Sequence, residues 1–336
     1  MLEEALSAAE CVALQLSSDA EAYLELGRTL RATDFNTVLT VARGSSDHAA
    51  SYCAYLIMAR LGRVVASLPM SLVTLYKSPL VTRGTLTIAV SQSGQSPDVI
   101  APIRYFRAGG GTTVALVNDI ASPLALAAEW AMPLHAGKET SVAATKSFIA
   151  SLVAGARLVA HWQNDAHLTD SLAALPEALD AAARTDWSAA LEVLAPARTI
   201  MVVGRGISFP IALEAALKFK ETSALHAEAF SGAEIRHGPM ALVNAGYPLL
   251  IFATRGPAQA SLVQLASEMR ACGAHVLLAA PADVAERDLT LPLAATPDLD
   301  PIVAAQAFYV MAAQLAKARG IDPDRPRHLS KVTRTH

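Results

Sequence analysis

Short apolar segments alternate with helix-like segments along this chain, and the alternation occurs twice. The first series of apolar segments lies at residues 37–41, 64–67, 86–90, 113–117 and, more weakly, 131–134. The second series lies at residues 199–203, 249–253 and 275–278, with about the same spacing. Alternation of this kind is typical of a parallel sheet covered by helices, and its repetition indicates internal duplication. We therefore predict an α/β fold of two tandem, doubly wound parallel-sheet subdomains that are flavodoxin-like, with three αβα layers each.

The chain has 336 residues, which is enough for two medium-sized domains. We place the first subdomain, with an N-terminal helix, in residues 1–167, a helical linker in 168–196 and the second subdomain in 197–324. A C-terminal tail occupies residues 325–336. Because ligands of such folds bind at the carboxyl ends of the strands, functional residues are expected in the turns that follow them.

The composition argues against several classes of partner. The formal net charge is −3 and the only basic run is the short tail at 325–334, so a nucleic-acid-binding protein is disfavoured. Three isolated cysteines lack the spacing of a metal site and predict reduced thiols. The acidic start differs from a signal peptide, and the longest apolar helix-like run, at 147–162, is too short to span a bilayer. We expect a soluble cytoplasmic protein that binds neither nucleic acid nor membrane.

A loop rich in hydrogen-bond donors, SQSGQS at residues 91–96, lies between an apolar strand and a helix. Gly94 allows close approach of a ligand to the backbone, and the following helix offers the positive end of its dipole. We predict a site for one phosphate, with donors from the loop and from Ser45 and Ser46 after the first strand. A plain helix cap formed by Ser96 and Pro97 explains the same sequence, and both interpretations can hold together.

A second group of functional candidates lies on a helix that follows the strand at residues 199–203. Glu214, Lys218 and Glu221 are spaced i, i+4 and i+7 and therefore share one helix face. A carboxylate held next to a lysine suits a general base, although the same pair also stabilises ordinary helices. His237 follows in a His-Gly-Pro turn, where either a catalytic or a structural role is open. Other ionisable residues of this stretch are His226, Glu228, Glu234 and Arg236.

Five motifs in this chain occur in the order found in one known family. They are RGSS at 43–46, SQSGQS at 91–96, KETSVAATKSF at 138–148, LEAALKFKETSALHAEAFSGAEIRHGPMAL at 213–242 and PRHLSKV at 326–332. Together they span nearly the whole chain. On these motifs the chain resembles the sugar isomerase (SIS) family, and is most similar to the isomerase portion of glucosamine-6-phosphate synthases and to free-standing SIS deaminases.

The resemblance implies which residues bind the substrate. Those that would hold the sugar phosphate are Ser46, Ser91, Gln92, Ser93 and Ser96. Those that would contact the sugar are Ser45, Glu139 and Val142. No metal and no organic cofactor is implied.

The resemblance also implies the catalytic residues. Glu221 would move the proton between C1 and C2, with Lys218 and Glu214 beside it. His237 would help to open the sugar ring, reaching in from the neighbouring subunit of a homodimer. Lys331 in the tail would approach the anomeric carbon, where an amine can act through an imine. Composition alone would make this tail a frayed basic terminus.

One departure from the synthases concerns the start of the chain. The synthases carry an N-terminal glutaminase domain with a cysteine directly after the initiator methionine, whereas residue 2 here is leucine. We therefore expect deamination, in which glucosamine 6-phosphate becomes fructose 6-phosphate and ammonia. Two alternatives stay open. One is a related enzyme acting on galactosamine 6-phosphate or a fructosamine 6-phosphate conjugate, and the other is a sugar-phosphate sensor without turnover.

Overall fold

The structure, a computed structural model, describes residues 1–331 of the chain. These residues divide into two compact units, each built around one sheet. The first-sheet unit consists of residues 10–139, 146–173 and 330–331. The second-sheet unit consists of residues 1–9, 140–145 and 174–329.

Helices and strands alternate along the chain. The strands are β1 (Thr37–Val41), β2 (Val65–Ser67), β3 (Thr85–Ser91), β4 (Thr112–Val117), β5 (Trp130–Pro133), β6 (Thr199–Gly204), β7 (His226–Ser231), β8 (Pro248–Phe252), β9 (His275–Ala280) and β10 (Leu289–Thr290). The helices up to the middle of the chain are α1 (Leu2–Leu6), α2 (Ala8–Ser17), α3 (Ala20–Ala32), α4 (Ser45–Leu61), α5 (Ser71–Thr74), α6 (Pro97–Ala108), α7 (Pro123–Ala127), α8 (Lys146–Gln163) and α9 (Ala166–Ala173). The remaining helices are α10 (Leu175–Ala183), α11 (Ala189–Leu194), α12 (Phe209–Ser223), α13 (Gln259–Ala271) and α14 (Asp300–Ala318).

The first sheet is parallel throughout, with the strand order β2-β1-β3-β4-β5. Every residue of the central strand β3 is buried, as expected for an apolar strand covered on both faces. Val41 at the end of β1 pairs with Ala89 near the end of β3. The turns after these two strands therefore lie side by side at one edge of the sheet.

The second sheet is also parallel, with the order β10-β9-β8-β6-β7. Read in reverse, as β7-β6-β8-β9-β10, this order corresponds to the order β2-β1-β3-β4-β5 of the first sheet. In both sheets the first strand of the series lies second from one edge, and the next two long strands follow towards the other edge. The predicted α/β class, with two parallel sheets flanked by helices, is confirmed.

Two strands and one helix start differ from expectation. β7 and β10 were not predicted, because neither is an uninterrupted apolar run. β7 is an edge strand that pairs only with β6 among the described strands, so its His226 and Glu228 are exposed. α4 begins at Ser45 rather than at His48, which places both predicted phosphate-binding serines after β1 in the first turn of a helix.

Each unit has a long buried helix in its core. α8 packs on α4, and a Cβ at Gly155 would come within 3.0 Å of the Cys53 side chain, so glycine lets these helices approach closely. In the second-sheet unit, α14 packs on α12 and α10. Among the described residues one helical segment, Pro297–Ala318, is apolar and long enough to cross a membrane, but 94% of its apolar window is buried in the protein, as in a core helix.

Candidate active site

The phosphate loop, residues 91–96, joins the end of β3 to the start of α6 in the first-sheet unit. The Ser91 hydroxyl accepts a hydrogen bond from the amide of Gly94 at 3.0 Å, and the Ser93 hydroxyl accepts one from the amide two residues further on at 3.3 Å. Gly94 has a φ of 63°, and a Cβ there would lie 2.1 Å from the Ser122 hydroxyl oxygen. The loop is therefore a compact turn that requires glycine at this position.

The amino ends of two helices meet the same edge of the first sheet. α6 has Ser96 at its N-cap position and Pro97 as its first residue, but the Ser96 side chain makes no capping hydrogen bond to the helix. α4 has Ser45 and Ser46 in its first turn, and both side chains are half-buried. Gln92, like Ser93, is also half-buried, so these donors remain accessible to a ligand. Helix amino ends favour anions, which supports the predicted phosphate site.

An ion pair next to the loop was not anticipated from the sequence. Asp98 lies in the first turn of α6 and is only 3% exposed, and its Oδ2 is 2.8 Å from Nε of Arg43. A buried carboxylate at this helix end would repel a phosphate, and the Arg43 guanidinium offsets its charge. Burial raises the pKa of Asp47, and His48 and Arg43 oppose that rise.

Glu139 and Lys331 lie in contact within the first-sheet unit. Nζ of Lys331 is 2.9 Å from Oε2 of Glu139, whose side chain is fully buried. The same carboxylate accepts hydrogen bonds from the backbone amide and the hydroxyl of Ser147. Lys331 is the last described residue, and residues 332–336 of the predicted tail lie outside the described part of the chain.

Three acid/base candidates of the second-sheet unit form one cluster on α12 around a buried lysine. Nζ of Lys218 is 3.3 Å from Oε1 of Glu214 and 2.5 Å from Oε2 of Glu221. The hydroxyl of Tyr309, from α14, donates to Oε1 of Glu214 at 2.8 Å. Burial alone would lower the pKa of Lys218, but the carboxylates of Glu214 and Glu221 outweigh it and raise the pKa above its usual value. Lys218 therefore stays an ammonium.

Burial distinguishes the two carboxylates of this cluster. The side chain of Glu214 is 1% exposed, as is that of Lys218, whereas the side chain of Glu221 is 19% exposed. Surface pairs at this helical spacing contribute little, but a buried lysine requires its partners. Glu214 therefore fixes the ammonium in place, while Glu221 is the member that a ligand can reach.

Val142 lies in a loop that is held by α1 in the second-sheet unit. The Glu4 carboxylate accepts hydrogen bonds from the amides of Thr140 at 2.5 Å and Ser141 at 3.2 Å. Asp324 accepts one from the Ser141 hydroxyl at 2.7 Å. Burial would raise the pKa of Glu4, but the hydrogen bonds from Ser141 and Thr140 lower it to about 2. Val142 itself is buried only in part.

His237 is exposed at the end of a 3-10 helix, Glu234–His237, in the second-sheet unit. Gly238 follows with a φ of 146°, a conformation that side chains rarely adopt. Ile235 anchors this segment in the core, and Arg236 pairs with Glu268 at 2.7 Å. The segment is thus a defined surface feature, although β7, and not a simple turn, separates it from α12.

A scan against protein families matches the SIS domain model at residues 33–160 and 193–286. The two matched ranges make up about two thirds of the chain and each contains most of one sheet. The chain belongs to the SIS domain family.

The relatives of this SIS chain include aminotransferases and phosphosugar isomerases. The glutamine–fructose-6-phosphate aminotransferase (isomerizing) of Zymomonas mobilis is 34% identical over 312 residues, which cover 88% of this chain and 51% of that protein. The chain spans about half the length of the curated relatives it matches.

Solved structures of the same fold cover nearly all of the chain. A protein from Silicibacter pomeroyi DSS-3 inferred to be a phosphosugar isomerase is 42% identical, with a TM-score of 0.91 and coverage of 96% of this chain and 99% of that one. The C-terminal domain of the Francisella tularensis glucosamine-fructose-6-phosphate aminotransferase is 25% identical, with a TM-score of 0.85 and coverage of 97% of each chain.

Sequence reasoning missed two partners in these SIS units. Tyr309 lies 95 positions from Glu214 along the chain, so no local pattern connects them. Arg43 and Asp98 are 55 positions apart, although Arg43 belongs to one recognised motif and Asp98 follows another. Helix packing brings the first pair together and the pairing of β1 with β3 the second, and only the fold shows which residues meet.

Proposed function

We propose that this SIS chain is an amino-sugar phosphate isomerase that releases ammonia, most specifically a glucosamine-6-phosphate deaminase. The observation that carries the proposal is the α12 cluster. In it, a partly exposed carboxylate, Glu221, is hydrogen-bonded to a fully buried ammonium, Lys218. This arrangement supplies one accessible base of defined orientation, as a proton transfer between neighbouring carbons requires.

The proposed chemistry begins with proton transfer in the open-chain sugar. Glu221 would take the proton from C2 and return it to C1, while one amine proton passes to O1, so that C1 becomes an alcohol and the C2 amine becomes an imine. Water then adds at C2 and ammonia leaves, so that the oxygen of water becomes the ketone oxygen of fructose 6-phosphate. Lys218, held by Glu214 and Tyr309, would keep the base oriented through both transfers.

Substrate binding is proposed for the residues that match the family motifs. The phosphate loop and Ser46 would bind the phosphate, and Ser45 and Val142 would contact the sugar. His237 would open the ring from the neighbouring subunit of a homodimer, and Lys331 would approach the anomeric carbon. The names of the relatives support fructose 6-phosphate as the ketose of this reaction, since they describe aminotransferases of that sugar.

A cytoplasmic location is part of the same proposal. The three cysteines of the chain, all among the described residues, form no disulfide, and two of them are at least partly buried. Reduced thiols are usual in the cytoplasm, where sugar phosphates also occur.

An ammonia-release assay tests the proposal. Purified protein is incubated with glucosamine 6-phosphate, galactosamine 6-phosphate and a fructosamine 6-phosphate conjugate, and the released ammonia or amine is measured together with the ketose and aldose phosphates. We expect equal amounts of ammonia and fructose 6-phosphate from the first substrate. Faster turnover of another substrate would change the assigned substrate and leave the isomerase assignment in place. Tight binding by calorimetry without turnover of any of them would make the chain a sensor and contradict the proposal.

A further inference from the structure

The carboxylate of Glu139 is already engaged within the protein. Its Oε1 accepts a hydrogen bond from the backbone amide of Ser147 at 3.2 Å. Its Oε2 accepts one from the Ser147 hydroxyl at 2.5 Å and one from Nζ of Lys331 at 2.9 Å. All three residues belong to the first-sheet unit. A side chain with these contacts is oriented towards α8 and the tail.

The start of α8 makes Glu139 a fixed anion. Ser147 is the second residue of this 18-residue helix, whose amino end carries partial positive charge. Two donors from one residue hold the two carboxylate oxygens and so set the orientation of the whole group. Because the side chain is fully buried, an ionised Glu139 also needs a cation beside it. Lys331 provides that cation.

The tail next to Lys331 lies mostly at the surface. Residues 327–330 are exposed, and Leu329 is 49% exposed although it is apolar. Among residues 321–331 the structure has no helix and no strand. In contrast, the side chain of Lys331 is only 23% exposed. The ion pair therefore anchors, beside this exposed stretch, the amine that the family resemblance places in the reaction.

We propose that Glu139 is a positioning residue that tethers the Lys331 ammonium, and is not a ligand of the sugar hydroxyls. The contact between Glu139 and Lys331 is argued from the geometry alone, whereas its role in catalysis rests on the proposed function. When Lys331 forms an imine, its Nζ bonds to the carbonyl carbon and the carbonyl oxygen leaves as water with two of the ammonium protons. The nitrogen keeps its positive charge and one proton, so the ion pair with Glu139 persists in the imine.

The first experiment tests the tether without substrate. Trypsin cleavage after Arg327 is followed by mass spectrometry in the wild type, Glu139→Gln, Lys331→Met and the double variant. Each single change should speed cleavage by roughly tenfold, which is the effect expected from losing one charge-assisted hydrogen bond. The double variant should be cleaved no faster than either single variant, because both changes remove the same contact. Glu129→Gln, which removes an exposed carboxylate of the same unit, is the matched control and should leave the rate unchanged.

Glu139→Gln could change the cleavage rate by weakening the start of α8. Lys331→Met does not have this effect, because the contacts between Glu139 and Ser147 remain in that variant. An unchanged cleavage rate in Lys331→Met would overturn the tether.

The second experiment tests positioning. Borohydride is added with fructose 6-phosphate, and the reduced adduct on Lys331 is quantified. Glu139→Gln should lower the adduct yield at least roughly tenfold while the Kd for fructose 6-phosphate, from calorimetry, changes less than about twofold. Glu139→Asp, which keeps the charge, should restore part of the yield.

The outcomes separate this proposal from the proposed function. A tenfold weaker Kd in Glu139→Gln with unchanged tail cleavage would make Glu139 a sugar ligand and contradict the proposal. If the wild type forms no adduct and turns over no sugar phosphate, while cleavage responds as expected, the proposed function fails and the tether stands.

Discussion

At the scale of single residues, the environment of Glu221 decides what the α12 cluster can do. The spacing of Glu214 and Lys218 in the sequence also fitted an ordinary helix-stabilising pair. The burial of Lys218 argues against that interpretation. A lysine that is 1% exposed between two carboxylates is costly to bury and contributes little to stability. A task in the site explains this costly arrangement better than helix stabilisation does.

The first prediction concerns Glu221→Gln. This change keeps the size and the contact with Lys218 but removes the base, so kcat for ammonia release should fall by roughly 10²–10⁴-fold. Affinity for fructose 6-phosphate should change little, because the phosphate contacts remain. Steady-state kinetics and calorimetry check the two values. Lys220→Gln, an exposed change on the same helix, serves as the control, and a Glu221→Gln enzyme with normal kcat would remove Glu221 from the mechanism.

The second prediction concerns Ser93→Ala in the phosphate loop. Loss of a hydrogen bond to a charged group should weaken binding of fructose 6-phosphate by about 1–3 kcal/mol. The unphosphorylated sugar should bind equally to both proteins. Ser267→Ala, an exposed serine on α13, is the control for the substitution. Calorimetry that shows equal Kd values for the variant and the wild type would mean that the loop only caps α6.

At the scale of elements, the chain uses helix ends and short loops to place its functional groups. α4 and α6 start beside each other because β1 and β3 are paired strands, and Glu139 is oriented by the start of α8. In the second-sheet unit the 140–145 loop has no regular structure and depends on the carboxylates of Glu4 and Asp324. α1 is thus linked to the loop that carries Val142.

A pH-dependent stability follows from Glu4, which is the third prediction. Its pKa is lowered from 4.5 to about 2, so the stabilisation it provides is complete above pH 4.5 and is lost as the pH falls towards 2. After allowance for solvent screening, this amounts to about 1–2 kcal/mol.

Glu4→Gln should therefore unfold at lower urea concentration than the wild type at pH 7, and the difference should shrink between pH 4.5 and 2. Glu3→Gln, an exposed change on α1, should behave as the wild type. A constant difference across this pH range would show that the charge of Glu4 is not what holds the loop.

At the scale of the whole molecule, the position of His237 bears on assembly. The 3-10 helix that ends at His237 is exposed, while Ile235 fixes it to the core. A rigid surface feature that carries a catalytic candidate is consistent with the proposal that one subunit lends this histidine to its neighbour. In a two-fold dimer such an exchange is reciprocal.

Mixed dimers provide the fourth prediction. Glu221→Gln and His237→Ala proteins, each nearly inactive, are unfolded and refolded together. With shared sites, a mixed dimer has one site with both defects and one with neither, so activity should return to about one quarter of the wild-type value. Native mass spectrometry measures the fraction of mixed dimers. Mixed dimers without activity would show that His237 acts in the site of its own chain.

Much of the fold was predictable from the sequence, for a physical reason. Strands buried on both faces must be apolar throughout, so β1, β3, β4, β6, β8 and β9 were all recognisable as short apolar runs bounded by turn residues. The edge strand β7 was missed because exposure lets it carry His226 and Glu228, and β10, with two residues, is too short for a pattern.

Local periodicity in the sequence was sufficient to predict the α/β class, the two series of strands and the shared helix face of Glu214, Lys218 and Glu221. Three features became visible only with the fold: the burial of Lys218, the contact of Tyr309 with Glu214 and the pairing of Arg43 with Asp98. The same holds for Glu139 and Lys331, which are 192 positions apart. Contacts at such separations depend on strand order and helix packing, which no local stretch of sequence encodes.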